Sequence, residues 1–214
     1  MRAVLMGPPG AGKGTQAKFL AKDAAVPQIA TGDILRKARE EGTPLGREAQ
    51  SYMDRGDLVP DAVVIGLIEQ RLSQQDAAQG FLLDGFPRTV PQAGALDRLL
   101  EEMSQPLHDV LLIEVPEEAI VHRLSGRRTC PSCGRAYHVE TAPPPADGRC
   151  GSCGSELVTR PDDRLETVQA RLKVYAESTA PLRDYYAARG LLRTVDGVGP
   201  VEEVTARLKA ALRG

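Results

Sequence analysis

The stretch Gly7-Pro-Pro-Gly-Ala-Gly-Lys-Gly-Thr15 decides the fold of this chain. It follows a short apolar run, Ala3–Met6, which predicts a buried strand, and it precedes residues 16–22, which predict an amphipathic helix. In a glycine-rich loop between a strand and a helix, backbone N–H groups and the helix N-terminus can bind phosphate. Lys13 would add a full positive charge beside the terminal phosphates. A glycine-rich turn without a ligand is the alternative, and this flanking context argues against it.

The length and composition are typical of a soluble protein with one domain, or with one domain that carries insertions. The chain has 214 residues, 42% of them hydrophobic and none of them tryptophan, so we expect a core of Leu, Val, Ile and Ala. The net charge of −2 argues against a dedicated nucleic-acid or membrane binder. Residues 1–2 run directly into the first strand without a leader, and we find no apolar stretch that could span a bilayer. These features predict a cytoplasmic protein, and the absence of a spare apolar helix face predicts a monomer.

Apolar runs alternate with helical patterns along the chain. We expect further strands near 26–29, 80–85, 110–115 and 191–195, with helices between them and after the last. Near-continuous apolar strands separated by helices predict an α/β fold whose parallel sheet is covered on both faces. The active sites of such folds lie beyond the carboxyl ends of the strands. We expect Thr31 and Asp61 to cap the helices that follow them.

All four cysteines lie in a turn-rich segment, residues 127–160. They form the pairs Cys130–Cys133 and Cys150–Cys153, and the spacing C-x₂-C-x₁₆-C-x₂-C predicts a four-thiolate zinc site. Four protein ligands leave no position for water, so we expect a structural metal rather than a catalytic one. Disulfides are the alternative, disfavoured in a cytosolic chain, and iron also accepts four thiolates. We expect His138 at the surface, because the coordination is already complete.

Polar residues with roles in phosphate chemistry follow the expected strands. Asp84 ends an apolar strand, where a buried carboxylate needs a cation or donors, and Mg²⁺ bridging nucleotide phosphates is its natural partner. Arg88 offers a planar fork to a phosphate, and Gln92 offers a donor and an acceptor to a base edge. Arg123 and Arg127, four residues apart, are expected to share one helix face. The other arginines that favour phosphoryl transfer are Arg36, Arg160 and Arg171. For any one arginine, a solvated surface position is the alternative.

In their order along the chain, these motifs resemble those of the adenylate kinase family. The resemblance rests on residues 7–16, Thr31–Arg36, Leu83–Arg88 with Gln92, Gly126–Arg128, and Arg160–Asp163 with Arg171. The general phosphate-binding loop has Ser or Thr directly after its lysine, whereas here Gly14 separates Lys13 from Thr15. The adenylate kinase family shows the same departure. The cysteine segment resembles the long, zinc-bearing lid of some members.

The resemblance implies a reversible phosphoryl transfer from Mg·ATP to AMP that gives two ADP. ATP, AMP and ADP would be the partners, Mg²⁺ and structural Zn²⁺ the metals, and neither nucleic acid nor membrane would be bound. The implied fold is a P-loop NTPase-like core with a parallel five-stranded sheet and two mobile insertions. The core would comprise residues 1–29, 60–126 and 164–214, with an AMP-binding arm at 30–59 and a zinc-bearing lid at 127–163.

Carried over residue by residue, the resemblance also implies the site. The ATP set is Gly10, Ala11, Gly12, Lys13, Gly14, Thr15, Arg123, Arg127, Ala136, Tyr137 and Gly199. The AMP set is Thr31, Arg36, Asp57, Leu58, Val59, Gly85, Phe86, Pro87, Arg88, Gln92, Arg160 and Arg171. The catalytic set is Lys13, Asp84, Arg88, Arg123, Arg160 and Arg171. Asp84 would orient the magnesium directly or through water, and Cys130, Cys133, Cys150 and Cys153 would bind the zinc.

Two alternatives stay open at this point. The chain could be a kinase for another monophosphate, such as UMP, CMP or GMP, because the preference for adenine rests on Thr31 and Gln92 by resemblance. It could instead be a P-loop switch or NTPase whose zinc ribbon binds nucleic acid. That function predicts a basic lid with several aromatic residues, but Tyr137 is the only aromatic residue near the cysteines.

Overall fold

The computed structural model describes residues 1–212. Its strands are β1 (Arg2–Met6), β2 (Gln28–Ala30), β3 (Phe81–Asp84), β4 (Asp109–Glu114), β5 (Arg127–Thr129), β6 (Ala136–His138) and β7 (Leu192–Asp196). Its helices are α1 (Lys13–Asp23), α2 (Thr31–Glu40), α3 (Pro44–Arg55), α4 (Asp61–Leu72), α5 (Val90–Glu102), α6 (Glu117–Ser125), α7 (Leu165–Val174), α8 (Leu182–Ala187) and α9 (Val201–Ala211). Five strands form one parallel sheet in the order β2-β3-β1-β4-β7, and β5 pairs antiparallel with β6 in a separate sheet. The expected α/β fold with a five-stranded parallel sheet is confirmed.

The main sheet is buried on both faces because its strands are apolar along their length. Successive side chains of a strand point to opposite faces. On β1, Val4 and Met6 therefore join a core cluster with α4, α5 and α8, whereas Ala3 and Leu5 join a second cluster with α1 and α9. Two buried layers hold the strands rigidly and fix the position of their ends.

The register of the strands brings the predicted site residues to one edge. Asp84, the last residue of β3, pairs with Leu5 on one side and with Ala30 on the other. The loop after β1, the carboxylate that ends β3 and the start of α2 therefore lie side by side. This is the carboxyl edge of the sheet, where ligands bind in open parallel folds.

Two segments extend from this core. Between β2 and α4, helices α2 and α3 form a hairpin, and the hydroxyl of Thr43 caps α3 by accepting from Gly46 N at 3.1 Å. A Cβ on Gly46 would collide with the backbone of Ala38, so the two helices approach closely only because of this glycine. Residues 127–163 contain the β5–β6 pair, the four cysteines and a short 3₁₀ turn, Pro161–Asp163.

Two helix starts differ from expectation. α2 begins at Thr31 and α4 begins at Asp61, and neither side chain caps its own helix. Thr31 Oγ1 donates to the carbonyl of Gly85 at 2.9 Å. The carboxylate of Asp61 accepts from Thr89 Oγ1 and Gln92 Nε2. Both expectations are wrong for one reason, namely that a partner distant in sequence takes the polar group that a local cap would use.

Two expectations about residues 127–163 are also wrong. Arg127 lies in β5, after α6 has ended, so it shares no helix face with Arg123. His138 is buried rather than at the surface, with its ring against Gly126. Its Nδ1 accepts from two backbone N–H groups, and its Nε2 lies 3.2 Å from the carbonyl of His122. The imidazole therefore joins the β5–β6 pair to the end of α6.

Across residues 1–212 the structure has no helix of the length and apolarity needed to cross a bilayer.

Candidate active site

The glycine-rich loop joins β1 to α1 and folds around its own lysine. Lys13 Nζ donates to the carbonyls of Gly7 and Pro8, at 2.8 Å each. Gly7 has φ +146°, and a Cβ there would lie 2.6 Å from the carbonyl oxygen of Ile113, so only glycine fits. Gly12, at φ +93°, is the N-cap of α1 and brings no side chain to the helix end. The first N–H groups of α1 are therefore available to phosphate oxygens.

Charged side chains converge on Lys13. Burial lowers the pKa of Lys13 to about 7, and Asp84 acts in the opposite direction. Three guanidinium groups lower it further, those of Arg88, Arg171 and Arg127. Burial likewise raises the pKa of Asp84. Because each site disfavours the charge of its own side chain, the anionic phosphates of a nucleotide would stabilise the protonated lysine.

Arg123 connects the loop to the segment that follows β7. Its guanidinium donates to the carbonyl of Ala11 at 3.4 Å and to that of Gly197 at 2.9 Å. Gly199 lies two residues further on, in the left-handed region at φ +122°. The structure thus brings Arg123, Ala11 and the segment containing Gly199 together beside the loop.

Two other members of the ATP set, Ala136 and Tyr137, lie on β6. Ala136 is exposed, whereas the side chain of Tyr137 is buried within residues 127–163. Its hydroxyl accepts from Gly151 N at 2.8 Å and donates to Cys150 Sγ at 3.5 Å. The phenol therefore contacts the cysteine cluster.

A cavity opens between the α2–α3 hairpin and the end of β3. Most of the AMP set lines it: Thr31, Arg36, Asp57, Leu58, Val59, Gly85, Arg88, Gln92 and Arg171. Phe86, Pro87 and Arg160 do not line it. Phe86 is instead buried in the core, where a cis peptide bond joins it to Pro87. The structure therefore gathers residues from both sides of the sheet edge around one cavity next to the loop.

Arg88, which lines this cavity, is held by three contacts. Its Nε donates to the carbonyl of Gly85 at 2.8 Å, and its backbone N–H donates to Gln92 Oε1 at 2.7 Å. Its carbonyl accepts from Thr179 Oγ1 at 2.8 Å. Burial lowers its pKa to about 10. Thr179 lies in a π-helical turn, Tyr175–Thr179, that no sequence motif indicates. The two backbone contacts hold the main chain at Arg88, and the Nε contact orients the guanidinium at the cavity.

Asp162 and Asp163, which the motifs did not assign to the site, form ion pairs with Arg127 and Arg171. Asp163, whose side chain is fully buried, forms a two-point ion pair with Arg127, including Nε to Oδ2 at 2.7 Å. Arg171 Nη1 lies 3.0 Å from Asp162 Oδ2 and 3.7 Å from Asp163 Oδ1. Burial opposes the ionisation of Asp162, but the arginines, Arg171 first, outweigh it and lower its pKa. The signal in the sequence was their position directly after Arg160 and a proline.

The four cysteines meet in one cluster, and their Sγ atoms all lie within 4.8 Å of one another. They are free thiols, since Sγ–Sγ distances of 3.4 Å for Cys130–Cys153 and 3.5 Å for Cys133–Cys150 exceed the roughly 2.05 Å of a disulfide. A tetrahedral zinc ion with Zn–S bonds of about 2.3 Å needs sulfur separations of about 3.8 Å. The cluster therefore fits a zinc ion with four thiolate ligands.

Asp84 is the residue that fits a magnesium ion bound with the nucleotide. Its Oδ2 accepts from Gln28 Nε2 at 3.2 Å and would lie 3.5 Å from a Cβ placed on Gly14. The carboxylate is thus at the foot of the loop. Mg²⁺ in nucleotide sites takes one or two carboxylates and keeps phosphate oxygens and waters as its other ligands.

Comparisons with known proteins agree with this geometry. A sequence model described as adenylate kinase matches residues 5–191 of the chain. A protein named adenylate kinase from Carboxydothermus hydrogenoformans is 54% identical over 213 residues, covering 100% of both chains. One from Acidothermus cellulolyticus is 57% identical over 213 residues, 100% of this chain and 98% of its own. One from Archaeoglobus fulgidus is 50% identical over 212 residues, 99% of this chain and 98% of its own.

These similarities extend over the whole chain rather than over the phosphate-binding loop alone. They cover the loop, the residues around the cavity and the cysteine cluster together. The resemblance drawn from the motifs is thereby confirmed, and the chain belongs to the adenylate kinase family.

Proposed function

We propose that the protein catalyses reversible phosphoryl transfer from Mg·ATP to AMP, giving two ADP. The observation that carries the proposal is that the phosphate-binding loop and the cavity between the α2–α3 hairpin and β3 share the same charged residues. Arg88 and Arg171 line the cavity, and both also act on the pKa of Lys13 in the loop. A donor phosphate in the loop and an acceptor phosphate in the cavity would therefore face each other across these groups.

In the proposed mechanism the chain positions charge rather than moving protons. Lys13 and the N-terminus of α1 would hold the donor phosphates, while Arg88 and Arg171 would hold the acceptor phosphate in line with them. Asp84 would hold Mg²⁺, which when bound neutralises charge on the phosphate oxygens. The acceptor oxygen is already anionic, so no general base is needed. Arg123 and Arg160 would stabilise the charge that spreads over the transferring group.

The arm, residues 30–59, and the lid, residues 127–163, are proposed to close over the two nucleotides. Water is a smaller and more abundant nucleophile than AMP, so an open site would hydrolyse ATP. The ion pairs of Arg127 with Asp163 and of Arg171 with Asp162 support this proposal, because they join the two ends of the lid to each other and to α7. The cysteine cluster would keep the lid folded through a structural zinc ion.

The adenine preference for the acceptor is supported by Gln92, which lines the cavity with both a donor and an acceptor. Nucleic-acid binding by the lid has little support, because the ring of Tyr137 is buried against the cysteines. We also propose a cytoplasmic location, where thiols stay reduced for metal binding. A monomer is supported by the scatter of exposed large apolar side chains over separate elements, such as Phe19 and Leu165.

The first experiment is to supply ADP and Mg²⁺ alone and to measure ATP and AMP. An adenylate kinase produces both in equal amounts, whereas a hydrolase or switch produces no ATP. A panel of AMP, UMP, CMP and GMP as acceptors then tests base choice. If ADP is not converted, the proposed function is wrong.

Variants of the charged groups test the mechanism. Lys13→Ala and Arg88→Ala are each expected to lower kcat/KM by about 10²- to 10⁵-fold. This is the range expected when phosphoryl transfer loses a cationic side chain that stabilises the phosphate. Arg98→Ala, which removes an exposed arginine of α5, is the matched control and should keep the parent rate. An Arg88→Ala enzyme with near-parent turnover would contradict the role of Arg88.

A further inference from the structure

Asp61 belongs to none of the sets that the motifs identify, yet its carboxylate faces the cavity residues. It is the first residue of α4, directly after Pro60. Its Oδ1 accepts from Gln92 Nε2 at 2.7 Å, and its Oδ2 accepts from Thr89 Oγ1 at 2.8 Å. These contacts join residues about thirty positions apart and draw the carboxylate away from its own helix end.

The contact with Asp61 restricts what the amide of Gln92 can do. Gln92 is 1% exposed, and a buried amide needs partners for its polar atoms. An amide has two N–H donors and an oxygen with two lone pairs. Asp61 takes one N–H, and the backbone N–H of Arg88 takes one lone pair of Oε1 at 2.7 Å. One donor and one acceptor remain for the cavity that Gln92 lines.

We propose that Asp61 is a positioning residue that fixes the orientation of the Gln92 amide and thereby selects adenine in the acceptor site. This inference rests on the proposed function. Adenine presents an acceptor at N1 and a donor at its 6-amino group, which match the remaining N–H and lone pair of Gln92. Hypoxanthine and guanine present the reverse, a donor at N1 and an acceptor at O6.

Binding those bases would require the amide to turn over. The turned amide would place Oε1 against the carboxylate of Asp61 and Nε2 against the N–H of Arg88, so that two attractive contacts become repulsive. Specificity then comes from the cost of the wrong orientation as well as from the contacts to the right base.

Thr89 also contacts the carboxylate of Asp61 and links it to the start of α5. Its hydroxyl oxygen accepts from Gln92 N at 3.2 Å, which caps α5, while its O–H donates to Asp61. One carboxylate therefore holds both the side chain of Gln92 and the start of the helix that carries it. The base-reading amide is fixed relative to Arg88, only four residues before it.

The test is the ratio of kcat/KM for AMP to kcat/KM for inosine monophosphate, at saturating Mg·ATP. Asp61→Ala removes the anchor, and we expect the ratio to fall about tenfold, which corresponds to about 1.4 kcal/mol. Asp61→Asn keeps the size of the side chain but can present either an oxygen or an N–H to Gln92. We expect a smaller fall in the same direction, about threefold, because the asparagine oxygen can still accept from Gln92 Nε2, although without the charge of the carboxylate. If inosine monophosphate turns over too slowly, calorimetric binding of both monophosphates gives the same ratio.

The matched control is Glu117→Ala. Glu117 is an exposed acid that begins α6 directly after Pro116, as Asp61 begins α4 after Pro60. Replacing either residue by alanine therefore removes the same interaction with the helix dipole. Its ratio should stay at the parent value. An unchanged ratio in folded Asp61→Ala and Asp61→Asn, or an equal fall in Glu117→Ala, would overturn the inference. If Asp61→Ala does not fold, Asp61→Asn decides. A parent enzyme that forms no ADP from AMP refutes the proposed function instead.

Discussion

Replacing Asp163 by asparagine is expected to lower the melting temperature by roughly 6–12 °C. The side chain of Asp163 is fully buried, and it pairs with Arg127 at two points and approaches Arg171 at 3.7 Å. Removing one partner of a buried ion pair costs about 3–5 kcal/mol, because the remaining charge is left without compensation. The two guanidinium groups are 23% and 22% exposed and can be partly hydrated, so we take the lower end, about 3 kcal/mol. For a chain of this size, 1 kcal/mol shifts the melting temperature by about 2–4 °C.

Differential scanning calorimetry of the zinc-loaded, nucleotide-free protein at pH 7 measures this shift at one scan rate for all variants. The matched control is Asp76→Asn. Asp76 also forms a two-point pair, with Arg71 at 2.8 and 2.7 Å, but its side chain is 54% exposed. Solvent screens such pairs, so this variant should melt close to the parent protein. If Asp163→Asn shifts the transition no more than Asp76→Asn does, burial does not determine the strength of the Arg127 pair and the reasoning is wrong.

Three further predictions concern buried groups and the metal. Burial raises the pKa of Asp84, so the stability that depends on its protonation is present below its unfolded pKa and is lost as pH rises through its folded pKa. Asp84→Asn should therefore raise the melting temperature at pH 7 but not near pH 3.5, while lowering Mg²⁺-dependent turnover; a lower melting temperature at pH 7 would contradict this. Removal of zinc with a chelator should lower the melting temperature by more than about 5 °C and leave residual turnover at low temperature. Complete loss of turnover in a folded, zinc-free enzyme would indicate a catalytic metal. Tyr186→Phe should raise the free energy of unfolding by up to about 1 kcal/mol in urea titrations, because its fully buried hydroxyl has no hydrogen-bond partner among residues 1–212. A variant less stable than the parent would show that the hydroxyl is not unsatisfied.

Local patterns in the sequence were enough to predict the core of this fold. The apolar run that ends at Asp84 is typical of a strand buried on both faces, and helices between such strands favour a parallel sheet. The phosphate-binding loop was predictable because its glycines, its lysine and its flanking elements are contiguous. The cysteine cluster was predictable because two short pairs at this spacing are typical of a metal site with four thiolate ligands.

Residues whose roles depend on distant partners were placed less well. His138 was expected at the surface, but Gly126 leaves room for its ring against the end of α6. Asp61 was expected to cap its own helix, but its carboxylate accepts from Thr89 and Gln92 instead. Thr179 lies in no sequence motif, and Asp163 lies within the Arg160–Asp163 motif, which assigned it no role.

The amino-acid sequence by itself determined the parallel α/β architecture, the phosphate-binding loop, the cysteine cluster and the family. Each depends on residue types at fixed short spacings, and the physics of strands, helices and metal ligands acts over those spacings. Only the tertiary structure decided which carboxylate each arginine meets and which side chain orients Gln92. Burial determines those partners, because a charge or amide removed from water forms hydrogen bonds or ion pairs with the groups that packing places beside it.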